Sequence, residues 1–332
     1  MGTNILDIEY YLPEKILTNE QLESLFCDCS AKKIEEKVGV KERHISRDDE
    51  TALDLAQNAA EKIFFKFDRN LIDFILLCTQ SPDYFLPSSA CILQDRLGLR
   101  TDIGALDYNL GCSGFIYGLS LAKGLITSGI AQNVLLLTSE TYSKYIHPKD
   151  RSALSIFGDG AAATIIAKSE QENIFNFILG TDGKGYKNLI VPNGGMRSRY
   201  LENAAEVTDQ SGCIRTDNNL FMDGPEIFNF TIENIPKVFH EILKANKVSL
   251  DEISYIIFHQ ANNYMLEYLR KKIKIPKEKF YNSLEKTGNT VSASIPIALC
   301  DCLNRQIIKT GDMVLLLGFG VGYSWGGTII QI

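Results

Sequence analysis

Gly129-Ile-Ala-Gln-Asn-Val-Leu-Leu-Leu137 and Gly311-Asp-Met-Val-Leu-Leu-Leu317 follow one short program, a Gly turn and then an aliphatic run, written twice 182 residues apart. The runs lack polar alternation, which is the pattern of strands covered on both faces. Working outward, Leu71-Ile-Asp-Phe-Ile-Leu-Leu-Cys-Thr-Gln80 and Ile253-Ser-Tyr-Ile-Ile-Phe-His-Gln260 form a second such pair at the same separation, each followed by a helical stretch. Between these strands each half has a small-residue turn opening an apolar helix: Asn109-Leu-Gly-Cys-Ser-Gly-Phe-Ile-Tyr-Gly118 and Thr287-Gly-Asn-Thr-Val-Ser-Ala-Ser-Ile-Pro296. The chain reads as an internal duplication. Strands alternating with helices predict mostly parallel sheets covered by helices, one sheet per half. The expected fold is α/β, two βαβ-type halves over 1–172 and 173–332 with mixed sheets and layered helices. The polar stretch from Lys184 to Asn219 reads as a long excursion over a cleft or a partner surface.

A chain of 332 residues, 45% hydrophobic and 23% charged, has ample material for a core. Its formal charge of −7 gives no global attraction for nucleic acid or an anionic membrane, so neither is expected as a partner. Its apolar runs fall well short of the roughly 18 residues that span a bilayer. The 8 Cys are scattered without paired spacings and Met1 to Tyr10 already carries Asp7 and Glu9, so a reducing cytoplasm is expected. Cys27-x-Cys29 and Cys300-x-Cys302 lack zinc spacing, and no metal is expected.

Cys112 sits between Gly111 and Ser113-Gly114 at the start of a helix, where the positive N-terminus favours a thiolate. That setting fits a nucleophile, or a small residue buried in a tight strand-to-helix turn. His259 closes an apolar strand at the sheet edge where open α/β folds place ligands, and fits either a functional or a core histidine. Asn289 fits a helix cap or, opposite Cys112 in the repeat, a functional amide. Gly318-Phe-Gly-Val-Gly322 is followed by a terminal strand and not a helix, so it fails as a dinucleotide loop; its glycines would instead let backbone N–H groups approach a reacting carbonyl. Phe157-Gly-Asp-Gly reads as a tight structural turn.

Together, Gly111-Cys112-Ser-Gly, Phe157-Gly-Asp-Gly-Ala-Ala, His259-Gln-Ala-Asn262, Gly288-Asn289-Thr-Val-Ser-Ala-Ser-Ile-Pro296 and Phe319-Gly-x-Gly-x-x-Trp-Gly resemble the β-ketoacyl-acyl-carrier-protein synthase III family of the thiolase superfamily. Gly39-Val-Lys-Glu-Arg-His44-Ile and Pro87-Ser-Ser-Ala-Cys91 extend the resemblance over essentially the whole chain. It implies a homodimeric acyltransferase of fatty acid biosynthesis that needs no cofactor. Cys112 would take an acyl group, with an oxyanion hole from the backbones of Cys112 and Val321. His259 and Asn289 would hold the enolate left when a malonyl thioester, as malonyl-acyl-carrier protein, loses carbon dioxide.

The resemblance also implies a substrate channel at Lys37, Leu86, Arg151, Asn229, Asn262, Tyr264 and Phe319, and carrier-protein docking at Lys271 and Lys272. Lys33, Asn229 and Tyr264 stand where relatives using coenzyme A have Trp, Lys and Arg. The donor is thus an acyl-CoA or an acyl-carrier protein, and the carrier is expected to be faster. Leu86 in place of Phe implies room for an acyl group longer than acetyl. The alternatives are a relative that moves the acyl group to a hydroxyl or amine in a natural-product or glycan pathway, and a non-catalytic carrier-binding subunit.

Overall fold

The computed structural model describes residues 2–26 and 30–332. One five-stranded sheet contains β1 (Gly2–Tyr11), β2 (Phe74–Cys78), β3 (Gly104–Tyr108), β4 (Asn133–Glu140) and β5 (Gly160–Ser169), in the order β1-β5-β4-β2-β3. The other contains β6 (Ile178–Thr181), β7 (Tyr255–Phe258), β8 (Phe280–Tyr281), β9 (Met313–Gly320) and β10 (Ser324–Gln331), in the order β6-β10-β9-β7-β8. Matched strand for strand in chain order, the two arrangements are the same. In both sheets the three strands at one end run parallel and the hairpin partners antiparallel. The duplicated aliphatic runs form β2, β4, β7 and β9. The expected division at 172/173 falls in the link between β5 and β6, where Asn173 N–H donates to Thr3 O at 2.9 Å and Gln331 N–H donates to Asn173 O at 2.8 Å.

The layers follow from the alternation of side chains along each strand. Helices α1 (Ala52–Phe64), α2 (Gly114–Thr127), α3 (Gly224–Asn246), α4 (Asn263–Ile273) and α5 (Ser294–Asn304) cover the sheets. Leu76, Leu136 and Ile166 of one sheet and Ile257, Leu316 and Ile330 of the other face inward onto α2 and α5. Ile75, Leu77, Leu135 and Leu137 face outward onto α1, and Ile256, Phe258, Leu315 and Leu317 face outward onto α3 and α4. The result is helix, sheet, helices, sheet, helices. Because both sheets are covered on both faces, their central strands contain no alternating polar residues, and the duplicated aliphatic runs are explained.

This layering positions the site. The two central helices start from equivalent turns, α2 after β3 and α5 after β8, and those turns carry Cys112 and Asn289. Within the 184–219 excursion Val207–Thr208 pairs with Ile214–Arg215, and Leu189–Ile190 pairs with Phe221–Met222 just beyond its end. Cys300 and Cys302 are buried in α5 as small apolar residues. Cys27 and Cys29 lie outside the described residues. Among the described residues no helix is long and apolar enough to cross a membrane, and no cluster of His, Cys, Asp and Glu could hold a metal.

Candidate active site

Cys112 lies in the turn just before α2, whose N-cap is Ser113, and is 6% exposed. The β9–β10 hairpin closes over it. A Cβ built on Gly320 would stand 2.7 Å from Cys112 Sγ, so only glycine lets the hairpin backbone approach the sulfur this closely. Ser113 Oγ and Ser324 Oγ, 2.7 Å apart, fasten hairpin to turn. Burial pushes the thiol from 9.0 up to about 12; the backbones of Val321 and of Cys112 itself pull it down, and the nearby Glu140 adds to the rise. The helix start alone would favour a thiolate. Desolvation outweighs it, and the resting group is a thiol.

His259 follows β7, its N–H donating to Leu317 O at 2.9 Å, and its ring is buried with an edge-on contact to Phe319 at 5.8 Å. Nδ1 lies 2.7 Å from Ser294 Oγ at the start of α5. Burial lowers the imidazole from 6.5 to about 3, a shift opposed by the backbone of Val291, so the ring is neutral at physiological pH. Asn289 is bridged to Phe157, and its carbonyl accepts from Gly158 N–H at 3.0 Å. The Phe157-Gly-Asp-Gly turn is therefore a structural clamp on the asparagine loop, in keeping with its reading as a tight turn. Asn289 Oδ1 accepts from Val291 N–H at 2.9 Å, which fixes the amide; its Nδ2 has no hydrogen-bond partner among the described residues.

Val291 joins the parts. Its side chain packs in one cluster with Cys112 and Val321, and its backbone serves both His259 and Asn289. It holds φ at +54°, a left-handed value that is costly for a β-branched residue. Such strain concentrates at functional sites. Beside this cluster a cavity of 970 Å³ is lined by Gln80, Tyr142, Tyr145, Leu189 and Val321, with Tyr84, Phe85 and Leu86 at its outer wall. Leu86 is 80% exposed.

The structure thus brings Cys112, Val321, His259, Asn289 and Phe319 together. Phe319 is buried, its ring edge-on to that of His259. Asn262 Oδ1 caps α4 by accepting from Met265 N–H at 2.9 Å. Lys37, Arg151, Asn229 and Tyr264 lie on helices Ala31–Val38, Arg151–Ile156, α3 and α4, which adjoin one another, and Ala153 and Ile227 of two of these helices pack into the Cys112 cluster. Tyr264 is 63% exposed and tilts against Phe228 at 5.6 Å. Lys33 and Asn229 are exposed, while Arg151 donates to Ser211 O. In the basic segment Arg270 pairs with Glu267 at 2.8 Å and Lys279 donates to three carbonyls, so those two cations are spent within the fold. Lys271, Lys272, Lys274 and Lys277 are exposed, Lys272 lying over the Tyr268 ring and donating to Ile232 O at 2.8 Å.

Sequence reasoning misses three residues. Ser292 and Ser294 lie inside the Asn289 motif, where nothing sets them apart from their neighbours. Glu140 is fully buried at the end of β4, where it accepts from Gln80 N–H, Ser81 Oγ and Ser292 Oγ. A lone charge closing an aliphatic strand at the sheet edge is the available signal, the same one that singles out His259.

Residues 106–183 match the family described as 3-oxoacyl-[acyl-carrier-protein (ACP)] synthase III, and residues 243–332 match its C-terminal family. A beta-ketoacyl-[acyl-carrier-protein] synthase III of Caldanaerobacter subterraneus is 37% identical over 100% of this chain and 98% of its own. One of Clostridium perfringens is 37% identical over 97% of each. A crystal structure of a 3-oxoacyl-(acyl-carrier-protein) synthase III superposes with a TM-score of 0.98 at 47% identity, covering 100% of both chains. A 3-oxoacyl-(acyl-carrier protein) synthase of Burkholderia xenovorans superposes at 0.92 with 35% identity, over 100% of this chain and 94% of its own. The duplicated sheets and layered helices are the thiolase-like fold, and the chain belongs to the 3-oxoacyl-[acyl-carrier-protein] synthase III family.

Proposed function

We propose that this chain is an acyltransferase that condenses an acyl group held on Cys112 with malonyl-acyl-carrier protein, releasing carbon dioxide and a 3-oxoacyl thioester. The supporting observation is the convergence of Cys112, neutral His259 and the free Nδ2 of Asn289 around Val291.

In the first stage the Cys112 sulfur attacks the donor thioester carbonyl. The sulfur–acyl bond forms, the donor carbon–sulfur bond breaks, and the thiol proton ends on the departing thiol. The backbones of Cys112 and Val321 hold the oxyanion. In the second stage the malonyl carbon–carboxylate bond breaks and carbon dioxide leaves. The electron pair forms an enolate whose oxygen needs neutral donors. A neutral imidazole donates from one nitrogen and accepts at the other; in this reading Nδ1 accepts from the Ser294 hydroxyl and the ring proton sits on Nε2. Nε2–H and Asn289 Nδ2–H then hold the oxygen. The enolate carbon attacks acyl-Cys112, the carbon–sulfur bond breaks, and the released sulfur takes a proton from solvent.

The cavity beside Val321 receives the acyl chain in this reading. Its Tyr84–Leu86 wall and β3, an edge strand with Leu106 47% exposed, are covered by a second copy, making the enzyme a homodimer. The thiols and the absence of a membrane-spanning helix among the described residues suit a cytoplasmic enzyme. Intact-mass spectrometry with a panel of acyl donors, followed by malonyl-carrier protein, tests the reading. The expected result is an acyl adduct on Cys112 and carbon dioxide released on condensation. Acyl transfer to a hydroxyl or amine without carbon dioxide would favour the specialised acyltransferase instead.

A further inference from the structure

We propose that Glu140 is a positioning residue for Cys112, a buried carboxyl that joins the segment after β2 to the Asn289 loop and whose proton governs how readily Cys112 ionises. It rests on Cys112 being the nucleophile. Three donors converge on this side chain, none of them a cation: Gln80 N–H at 3.0 Å and Ser81 Oγ at 3.1 Å on Oε2, and Ser292 Oγ at 2.8 Å on Oε1. Gln80 and Ser81 follow β2. Gln80 reaches the loop before Cys112 through Nε2, which donates to Asn109 Oδ1 at 2.9 Å. Ser292 lies three residues after Asn289. One carboxyl therefore ties together both turns that carry the proposed chemistry.

The partners also suit a group that changes charge. A backbone N–H can only donate, so Oε2 stays an acceptor and an acidic proton belongs on Oε1. There the Ser292 hydroxyl can turn from donor to acceptor. Burial raises the carboxyl from 4.5 to about 8, with Gln80, Ser292 and Ser81 opposing the rise and the buried Asp159 adding to it. At neutral pH the group is therefore mostly protonated. The titratable groups that feel its charge are Cys112, Cys78, Tyr108, Tyr142 and Tyr145, each pushed up by it. Protonated, Glu140 leaves the developing Cys112 thiolate unopposed; ionised, it repels it.

The test is peptide-resolved alkylation of Cys112 by iodoacetamide between pH 6.5 and 9.5, which reads the thiolate without any acyl donor. Failure here is thus distinguishable from failure of the condensation reading, which shows in acyl mass and carbon dioxide. The Glu140→Gln rate divided by the wild-type rate should rise about three- to tenfold across that range with a midpoint near pH 8, corresponding to roughly half to one pKa unit of coupling. A ratio that stays flat overturns the proposal. Ser292→Ala, which keeps the carboxyl, provides a second reading should Glu140→Gln not fold. It removes a donor to the ionised form and should move the bend in the Cys112 profile to higher pH; a bend that does not move overturns the proposal as well.

Discussion

Cys112, His259 and Asn289 are all buried, and burial keeps the Cys112 thiol and the His259 imidazole neutral at rest beside the uncharged Asn289 amide. In the proposed reaction charge appears only transiently, so donors to the oxyanion and enolate carry the catalysis. His259→Ala and Asn289→Ala should still acquire the acyl group on Cys112 but lose condensation by about 10² or more. Loss of acylation with condensation untouched would contradict the roles. Ser294→Ala removes the hydroxyl that, in the proposed mechanism, donates to His259 Nδ1 and should lower condensation about 10- to 100-fold, the scale of a lost buried hydrogen bond, with the acyl-donor KM unchanged. Steady-state kinetics for each half-reaction would show it.

Burial also sets two opposing pH dependences of stability. Folded His259 stays neutral down to about pH 3 while the unfolded ring takes up a proton near 6.5, so stability is lost as pH falls through that window. Folded Glu140 keeps its proton up to about pH 8 while the unfolded carboxyl releases it near 4.5, so stability is lost as pH rises through that window. The slopes oppose each other between the two unfolded values. Relative to wild type, His259→Gln should gain stability as pH falls from 6.5 to 4.5, by up to about 1.4 kcal/mol per pH unit in urea unfolding. Parallel curves would mean that the folded imidazole titrates near its ordinary value.

Among the elements, α4 and its neighbours hold the donor in our proposal. Arg270 and Lys279 are tied into the fold and Lys272 donates to Ile232 O, so in the proposed function the exposed Lys271, Lys274 and Lys277, with the half-committed Lys272, attract an acidic carrier. We expect acylation to be faster from an acyl-carrier protein than from the matching acyl-CoA, with an advantage that shrinks as salt screens the surface charges. Lys271→Glu with Lys272→Glu should slow that reaction and spare a small thioester such as an N-acetylcysteamine analogue. Equal or better rates from acyl-CoA would contradict this reading of the mouth.

What the sequence makes legible at this scale is local. The Gly-flanked Cys112 turn, the strand-closing His259 and the Gly288-Asn289 turn carry their signal within a few residues. Their partners cannot be read, because they come from distant segments: Ser294 meets His259 across 35 positions, and Ser292 meets Glu140 across 152. The left-handed Val291 is hidden for another reason, since its sequence argues against the conformation that packing and the Asn289 amide impose.

Across the whole molecule, duplication explains why the site lies where it does. Two copies of one sheet face each other across α2 and α5, and equivalent turns bring Cys112 and Asn289 to one centre. The aliphatic repeats make this legible in advance, because strands buried on both faces leave a continuous apolar signature. The division at 172/173 remains our proposal for the halves. Single-turnover condensation tests the proposed function as a whole: enzyme acylated on Cys112 is mixed with malonyl-acyl-carrier protein while adduct mass, carbon dioxide and product are followed together. Loss of the Cys112 adduct should match, mole for mole, carbon dioxide released and 3-oxoacyl-carrier protein formed. An adduct that leaves as free acid, or on a hydroxyl or amine with no carbon dioxide, would contradict it.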